Sequence, residues 1–221
     1  MIILFPILAQ IVGCAPSCSQ NASVTALEAT PSSEVTPDKA ERKVIVFLGD
    51  SLTAGYGLAQ NESYPSLIQQ FIDADKRPWE VVNAGVSGDT TRAGLERVPW
   101  ILKRKPKAVF VALGANDGLR GLSNAEAEKN LNGIVLLLQS QDVQVFLAGM
   151  KMPINYGLHQ SQGFEQIFVH VANKNKIPLL PFLLKDVALE SNKNQGDGMH
   201  PNQAGTMVIA NQVYDFLKPH L

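Results

Sequence analysis

Apolar residues recur along this chain in two spacings, and the alternation between them outlines a fold. Val44 to Leu48 is an unbroken run of β-branched, aromatic and aliphatic residues, the pattern of a strand covered on both faces. Tyr64 to Ile72 has the apolar spacing of a helix, with Pro65 acceptable in its first turn. Val81 to Asn83 reads as a short strand, Thr91 to Lys103 as a helix, and Ala108 to Leu113 as a second buried strand. Ser123, with Glu126 at the capping-box position, predicts a helix running to Gln139. Val143 to Ala148 is another strand, and residues 149–163 look irregular. Phe164 to Asn175 predicts a helix with Phe164, Ile167, Phe168 and Val171 on its inner face. Ile177 to Phe182 is a proline-interrupted strand, and Asn202 to Leu217 a closing helix. Strands that alternate with helices predict a three-layer α/β/α sandwich around a central parallel sheet.

The amino terminus breaks this pattern. Met1 to Gly13 is almost wholly apolar and carries no charged side chain. It is short for a membrane span but fits the core of an export signal. Ile11-Val12-Gly13-Cys14 resembles the lipobox of bacterial lipoprotein signals, which implies cleavage before Cys14 and lipid attachment to it. The usual Lys or Arg ahead of the apolar run is missing. A Cys14–Cys18 disulfide is the other use for that thiol, and it would close only a small loop. Ala15 to Glu41 is rich in Ser, Thr, Pro and Ala with no apolar period, so it buries too little surface to offset its ordering entropy. The expected organisation is a signal over residues 1–13, a tether over 14–42 and one domain over 43–221. That predicts an exported protein of the periplasm or cell envelope, held to a membrane through Cys14.

Composition narrows the partners. Apolar residues make up 45% of the 221, and the formal net charge is −1, so bulk charge offers no attraction to nucleic acid. The one basic run, Lys103-Arg104-Lys105-Pro106-Lys107, sits at a predicted helix end, where cations complement the dipole. No Cys/His cluster has zinc-ligand spacing, and the expected chemistry needs neither metal nor organic cofactor. A monomer is expected.

The candidate chemistry lies where strands end. Gly49-Asp50-Ser51 forces a sharp turn after the first strand and leaves a hydroxyl at its carboxyl end, where open α/β sheets keep their ligand sites. Ser51 is a candidate nucleophile; a serine there also suits a helix cap. Two further strands end in glycine-containing polar loops, Ala84 to Thr90 and Gly114 to Gly118. In a parallel sheet those three ends share one edge. A serine nucleophile needs a base and a group to orient it. Of the four histidines, His220 is terminal, His170 falls within a predicted helix and His159 lies in the irregular stretch. His200, in Gly196-Asp197-Gly198-Met199-His200-Pro201, is the candidate base, with Asp197 placed to fold back onto its ring. Donors for an oxyanion would be the backbone N–H groups of Ser51 and Gly88 and the amide of Asn116.

Four stretches carry a family resemblance: Gly49-Asp50-Ser51-Leu52, Asn83 to Thr90, Gly114-Ala115-Asn116-Asp117, and Asp197 to Pro201. Their order and spacing resemble the SGNH (GDSL) hydrolases, and within them the bacterial thioesterase I, lysophospholipase L1 and arylesterase group. The resemblance implies a flavodoxin-like sandwich and hydrolysis of acyl esters and thioesters, including aryl esters and lysophospholipids, through an acyl-enzyme. It implies Ser51, Asp197 and His200 as the catalytic set, and Ser51, Gly88 and Asn116 as the oxyanion hole. It also implies a mobile lid at Gly118 to Leu122, with Asp117, Gly118, Leu119, Arg120 and Tyr156 beside the substrate. One departure stands out: the group carries an aromatic three residues past Gly157, and here Gln160 takes that place. Carbohydrate O-acetylesterase activity is the alternative within the family, and a non-catalytic lipid- or glycan-binding lipoprotein is the alternative outside it.

Overall fold

Four consecutive side chains of the first strand, Ile45 to Leu48, have no solvent exposure, as a strand covered on both faces requires. The computed structural model describes residues 42–152 and 158–221, the side chains of 158–162 aside. Five strands, β1 (Lys43–Gly49), β2 (Trp79–Gly85), β3 (Ala108–Ala112), β4 (Gln144–Ala148) and β5 (Leu179–Leu180), form one parallel sheet in the order β2-β1-β3-β4-β5. The helices are α1 (Ser51–Ala54), α2 (Tyr64–Ala74), α3 (Thr91–Leu102), α4 (Ala115–Leu119), α5 (Asn124–Gln139), α6 (Leu158–Asn175) and α7 (Gln203–Leu217).

The chain steps from β1 outward to β2, then crosses back over β1 to β3. Right-handed crossovers therefore send α2 to one face and α3, α5 and α6 to the other. In keeping with this, α2 packs on α7, while α3, α5 and α6 pack in a row. The core holds Phe47, Phe110 and Phe146 in the sheet, with Phe216 edge-on to the last two, and Phe164 against Phe168 on α6. The register aligns Gly49 of β1 with Gly85 of β2 and Ala112 of β3, so three strands end together on one edge. The strand order reverses between β1 and β3. In an open α/β sheet the crevice at that reversal is the place for a ligand.

Three expectations change. The strand predicted over Ile177 to Phe182 pairs only at Leu179 and Leu180, because Pro178 and Pro181 bracket it and lack the N–H a ladder needs. Helix α6 begins at Leu158 rather than Phe164; its first residues repeat no apolar spacing that could announce a helix. The Gly114–Gly118 loop is instead the short helix α4, entered through Gly114 at φ +118°. The predicted cap of α5 is present, with Ser123 Oγ accepting from the Glu126 N–H. No helix among the described residues is long and apolar enough to cross a membrane. Cys14, Tyr156 and the leader lie outside the described residues, and the side chains of His159 and Gln160 are likewise undescribed.

Candidate active site

Ser51 is the first residue of α1, and the residue that caps that helix is Asp50. Asp50 Oδ1 accepts from the Leu52 N–H at 3.0 Å, so the Ser51 hydroxyl is not consumed as a cap. The turn is tight enough that a Cβ on Gly49 would run into the Thr53 side chain and one on Gly85 into the backbone of Ala54. Both positions therefore demand glycine. Asn83 ties the same helix down, donating from Nδ2 to the Thr53 carbonyl at 2.8 Å.

The Ser51 hydroxyl meets His200 across 149 positions of sequence, with Nε2 and Oγ 3.0 Å apart. His200 Nδ1 lies 2.6 Å from Asp197 Oδ2. A carboxylate can only accept, so the ring proton sits on Nδ1 and the Nε2 lone pair faces the serine. Asp197 Oδ1 accepts from the backbone N–H groups of His200 and Met199 at 3.0 and 2.9 Å. Those bonds, led by the His200 N–H, then the ring and the Met199 N–H, hold its carboxyl down to about 2. The loop is pinned from outside as well: Gln195 Nε2 donates to the carbonyls of Tyr56 and Pro201, and the Tyr56 ring lies 4.6 Å from the imidazole.

Asn116, in the first turn of α4, donates from Nδ2 to the Asp89 carbonyl at 2.9 Å, and its second hydrogen has only a 3.5 Å contact to Asp50 Oδ2. Gly88 sits at φ +87°, a conformation that favours glycine. Among the described residues, the N–H groups of Ser51 and Gly88 have no acceptor. Asp50 is fully buried, and burial pushes its carboxyl up to about 6 against the opposing pull of the Leu52 N–H.

Beside Ser51, Asn116 and His200 runs a groove of about 260 Å³ walled by Leu52, Leu119, Met152, Phe164, Phe182 and Leu184, with Leu189 and Met199 at its rim. Two more open depressions, of about 460 and 480 Å³, are lined mainly by amide and other polar side chains and contain neither Ser51 nor His200.

The remaining candidates fall in different places. Leu119 lines the groove, and Gly118 packs against Met152 and Phe164 of its wall. Arg120 donates to the Gly88 carbonyl at 2.8 Å, linking the segment beyond α4 to the loop after β2. Asp117 does not line the groove. It is buried, and both its oxygens accept from Thr91, through the backbone N–H at 2.8 Å and the hydroxyl at 2.6 Å. His170 faces Glu128 on the surface, and His220 lies against Phe146. Nothing in the local sequence pattern distinguishes Arg97, Gln195 and Tyr56, which act here through distant partners. Among the described residues, no group of three His, Cys, Asp or Glu side chains could hold a metal ion.

Residues 47–208 match the GDSL-like Lipase/Acylhydrolase family. The chain belongs to that family. It is 36% identical over 181 residues to thioesterase 1/protease 1/lysophospholipase L1 of Escherichia coli K12, covering 81% of this chain and 86% of that one. It is 35% identical to an arylesterase of Vibrio mimicus, covering 83% and 92%. Among solved structures it is similar to the psychrotrophic esterase EstA of Pseudoalteromonas sp., there inhibited by monoethylphosphonate, with a TM-score of 0.77, 34% identity and coverage of 80% and 97%. This member of the family is accordingly a serine hydrolase of the esterase type, built on the α/β/α sandwich described above.

Proposed function

We propose that this enzyme hydrolyses esters and thioesters of apolar acyl chains through an acyl-enzyme on Ser51. The observation that carries the reading is the continuous contact from Ser51 Oγ through the His200 ring to Asp197. His200 Nε2 takes the hydroxyl proton as Oγ bonds the carbonyl carbon, and the carbonyl electrons move onto oxygen. The N–H groups of Ser51 and Gly88 and the Asn116 amide are the donors for that oxyanion. Collapse breaks the bond to the leaving alcohol or thiol, which takes the proton from His200. Water then attacks the acyl carbon, gives its proton to His200, and the acid leaves as Ser51 recovers it. Asp197 holds the ring in the required tautomer and balances the imidazolium.

The apolar groove beside Ser51 supports an acyl chain as the recognised part, and the names of the relatives support aryl esters, acyl thioesters and lysophospholipids as substrate types. Both favour this over a carbohydrate O-acetylesterase. The test is a fluorophosphonate probe on the wild type and on Ser51→Ala, with a panel of p-nitrophenyl esters, acyl-CoAs and lysophospholipids. Labelling at Ser51, and loss of turnover by at least about 10⁴-fold in a folded Ser51→Ala, is the expected result. A fully active Ser51→Ala protein would end the reading. The lipobox-like Ile11 to Cys14 supports export and lipid attachment at Cys14, with the domain over residues 43–221 held off the membrane by the 14–42 tether. Metabolic labelling with a radioactive fatty acid, lost in Cys14→Ser, checks that part. Monomeric mass in light scattering is expected.

A further inference from the structure

Arg97 projects from α3 and is not among the residues lining the groove. Its guanidinium nevertheless binds the segments that carry two of the three proposed oxyanion donors, Ser51 and Gly88, and reaches the third, Asn116, only through Asp89. Nε and Nη2 both reach Asp89 Oδ2, at 2.8 and 2.7 Å. Nη1 donates to the carbonyl of Ala84 near the end of β2, at 2.9 Å. Nη2 also donates to the carbonyl of Gly49, the last residue of β1, at 3.2 Å. Gly49 stands two residues before Ser51. Asp89 directly follows Gly88, and its carbonyl is the acceptor that holds Asn116 Nδ2.

We propose that Arg97 is a positioning residue that sets the spacing of the three oxyanion donors, with Asp89 as the carboxylate that orients it; this rests on the acyl-enzyme reading of Ser51. Donors lower a barrier only when they are aimed before charge develops, and a shift of about 1 Å costs rate heavily. The loop after β2 turns at Gly88, whose missing side chain does nothing to stiffen the backbone there. A planar cation with five donors in a fixed fork supplies that stiffness, and a lysine, with a compact ammonium, does not span the same acceptors. The side chains of Arg97 and Asp89 are only 23% and 13% exposed, so solvent competes weakly for these bonds.

The experiment compares Arg97→Met, Arg97→Lys, Asn116→Ala and the Arg97→Met/Asn116→Ala double variant in the full chain. It reads kcat and KM on a p-nitrophenyl acyl ester, and inhibition by an alkyl boronic acid, whose tetrahedral adduct places an oxygen among the donors. Arg97→Met should lower kcat roughly 30- to 100-fold, leave KM within about threefold, and weaken the boronate by a factor similar to that in kcat. Arg97→Lys should recover only part of this. In the Asn116→Ala background the Arg97→Met loss should shrink several-fold, because one donor that Arg97 positions is gone. Wild-type kcat and boronate affinity in a folded Arg97→Met protein overturn the proposal, as does a double variant whose losses multiply in full. If Arg97→Met does not fold, Asp89→Asn carries the same measurements. Failure of the underlying reading looks different: Asn116→Ala would keep wild-type boronate affinity and Ser51 would escape the fluorophosphonate, and the Arg97 role would fall with it.

Discussion

The two sides of Ser51 are built on opposite principles. On one side, Asp50, Asp89, Arg97 and Asn116 form a hydrogen-bonded frame in which nearly every contact is between 2.7 and 3.5 Å and directional. On the other, Leu184, Leu189, Met152 and Met199 offer area with little directionality, and Leu189 is 92% exposed at φ +69°. Stabilising a charge depends on angle and distance, whereas holding an acyl chain depends on apolar area and tolerates thioether side chains that repack. Substitutions on the polar side should therefore change rate by orders of magnitude, and those on the apolar side by small factors.

Outside Ser51 and His200, the largest effect is expected at Asp197, which orients the imidazole of His200. Asp197→Asn should lower kcat by about 10³- to 10⁴-fold with KM nearly unchanged, because the imidazole loses the acceptor that fixes its tautomer. Its carboxyl titrates near 2 against an ordinary 3.8, so its stabilising contribution is complete above pH ~4 and is lost as pH falls through 2. No break in a pH–rate profile between pH 4 and 9 should trace to it. A profile measured over that range, whose acid limb moved in a carboxylate variant that kept its activity, would blur the contrast between the two sides.

Asp50 sharpens the comparison in stability rather than rate. Below pH 4 the folded and unfolded states both hold its proton. Between about pH 4 and 6 the unfolded chain ionises first, so stability drains as pH rises, by at most about 3 kcal/mol above pH 6 at roughly 1.4 kcal/mol per pKa unit. Asp50→Asn keeps an acceptor for the Leu52 N–H and removes the titration. Thermal melts should show a gap to wild type that is more favourable to the variant at pH 7.5 than at pH 4. An equal gap at both values would sink the argument from burial.

The smallest effect belongs to the groove. Leu189→Gly relieves a left-handed leucine and should raise stability by about 0.5–1 kcal/mol, roughly 1–4 °C in Tm, while lowering kcat/KM on long-chain esters only a few-fold. A hundredfold loss there would place Leu189 with the polar frame instead.

Much of this site was legible from local sequence because its parts announce themselves locally. An apolar run followed by Gly49-Asp50-Ser51 can hardly be other than a strand and a sharp turn, and Asp197 reaches His200 within its own loop. Where local pattern and outcome diverge, the cause is a distant partner. The family resemblance places Asp117 beside the substrate, yet Thr91, 26 positions away, takes both its oxygens. Local pattern suits Ser51 to a helix cap, but the side chain of Asp50 fills that role.

The chain by itself determined which residues could act as nucleophile, base and orienting acid, since glycine turns and apolar periods are properties of neighbouring residues. Only the tertiary structure decided that β1, β2 and β3 end in register, that His200 closes on Ser51, and that one arginine ties Gly49, Ala84 and Asp89 together. The physical reason is that strand register and guanidinium geometry depend on packing between segments far apart in sequence, and no local pattern encodes them.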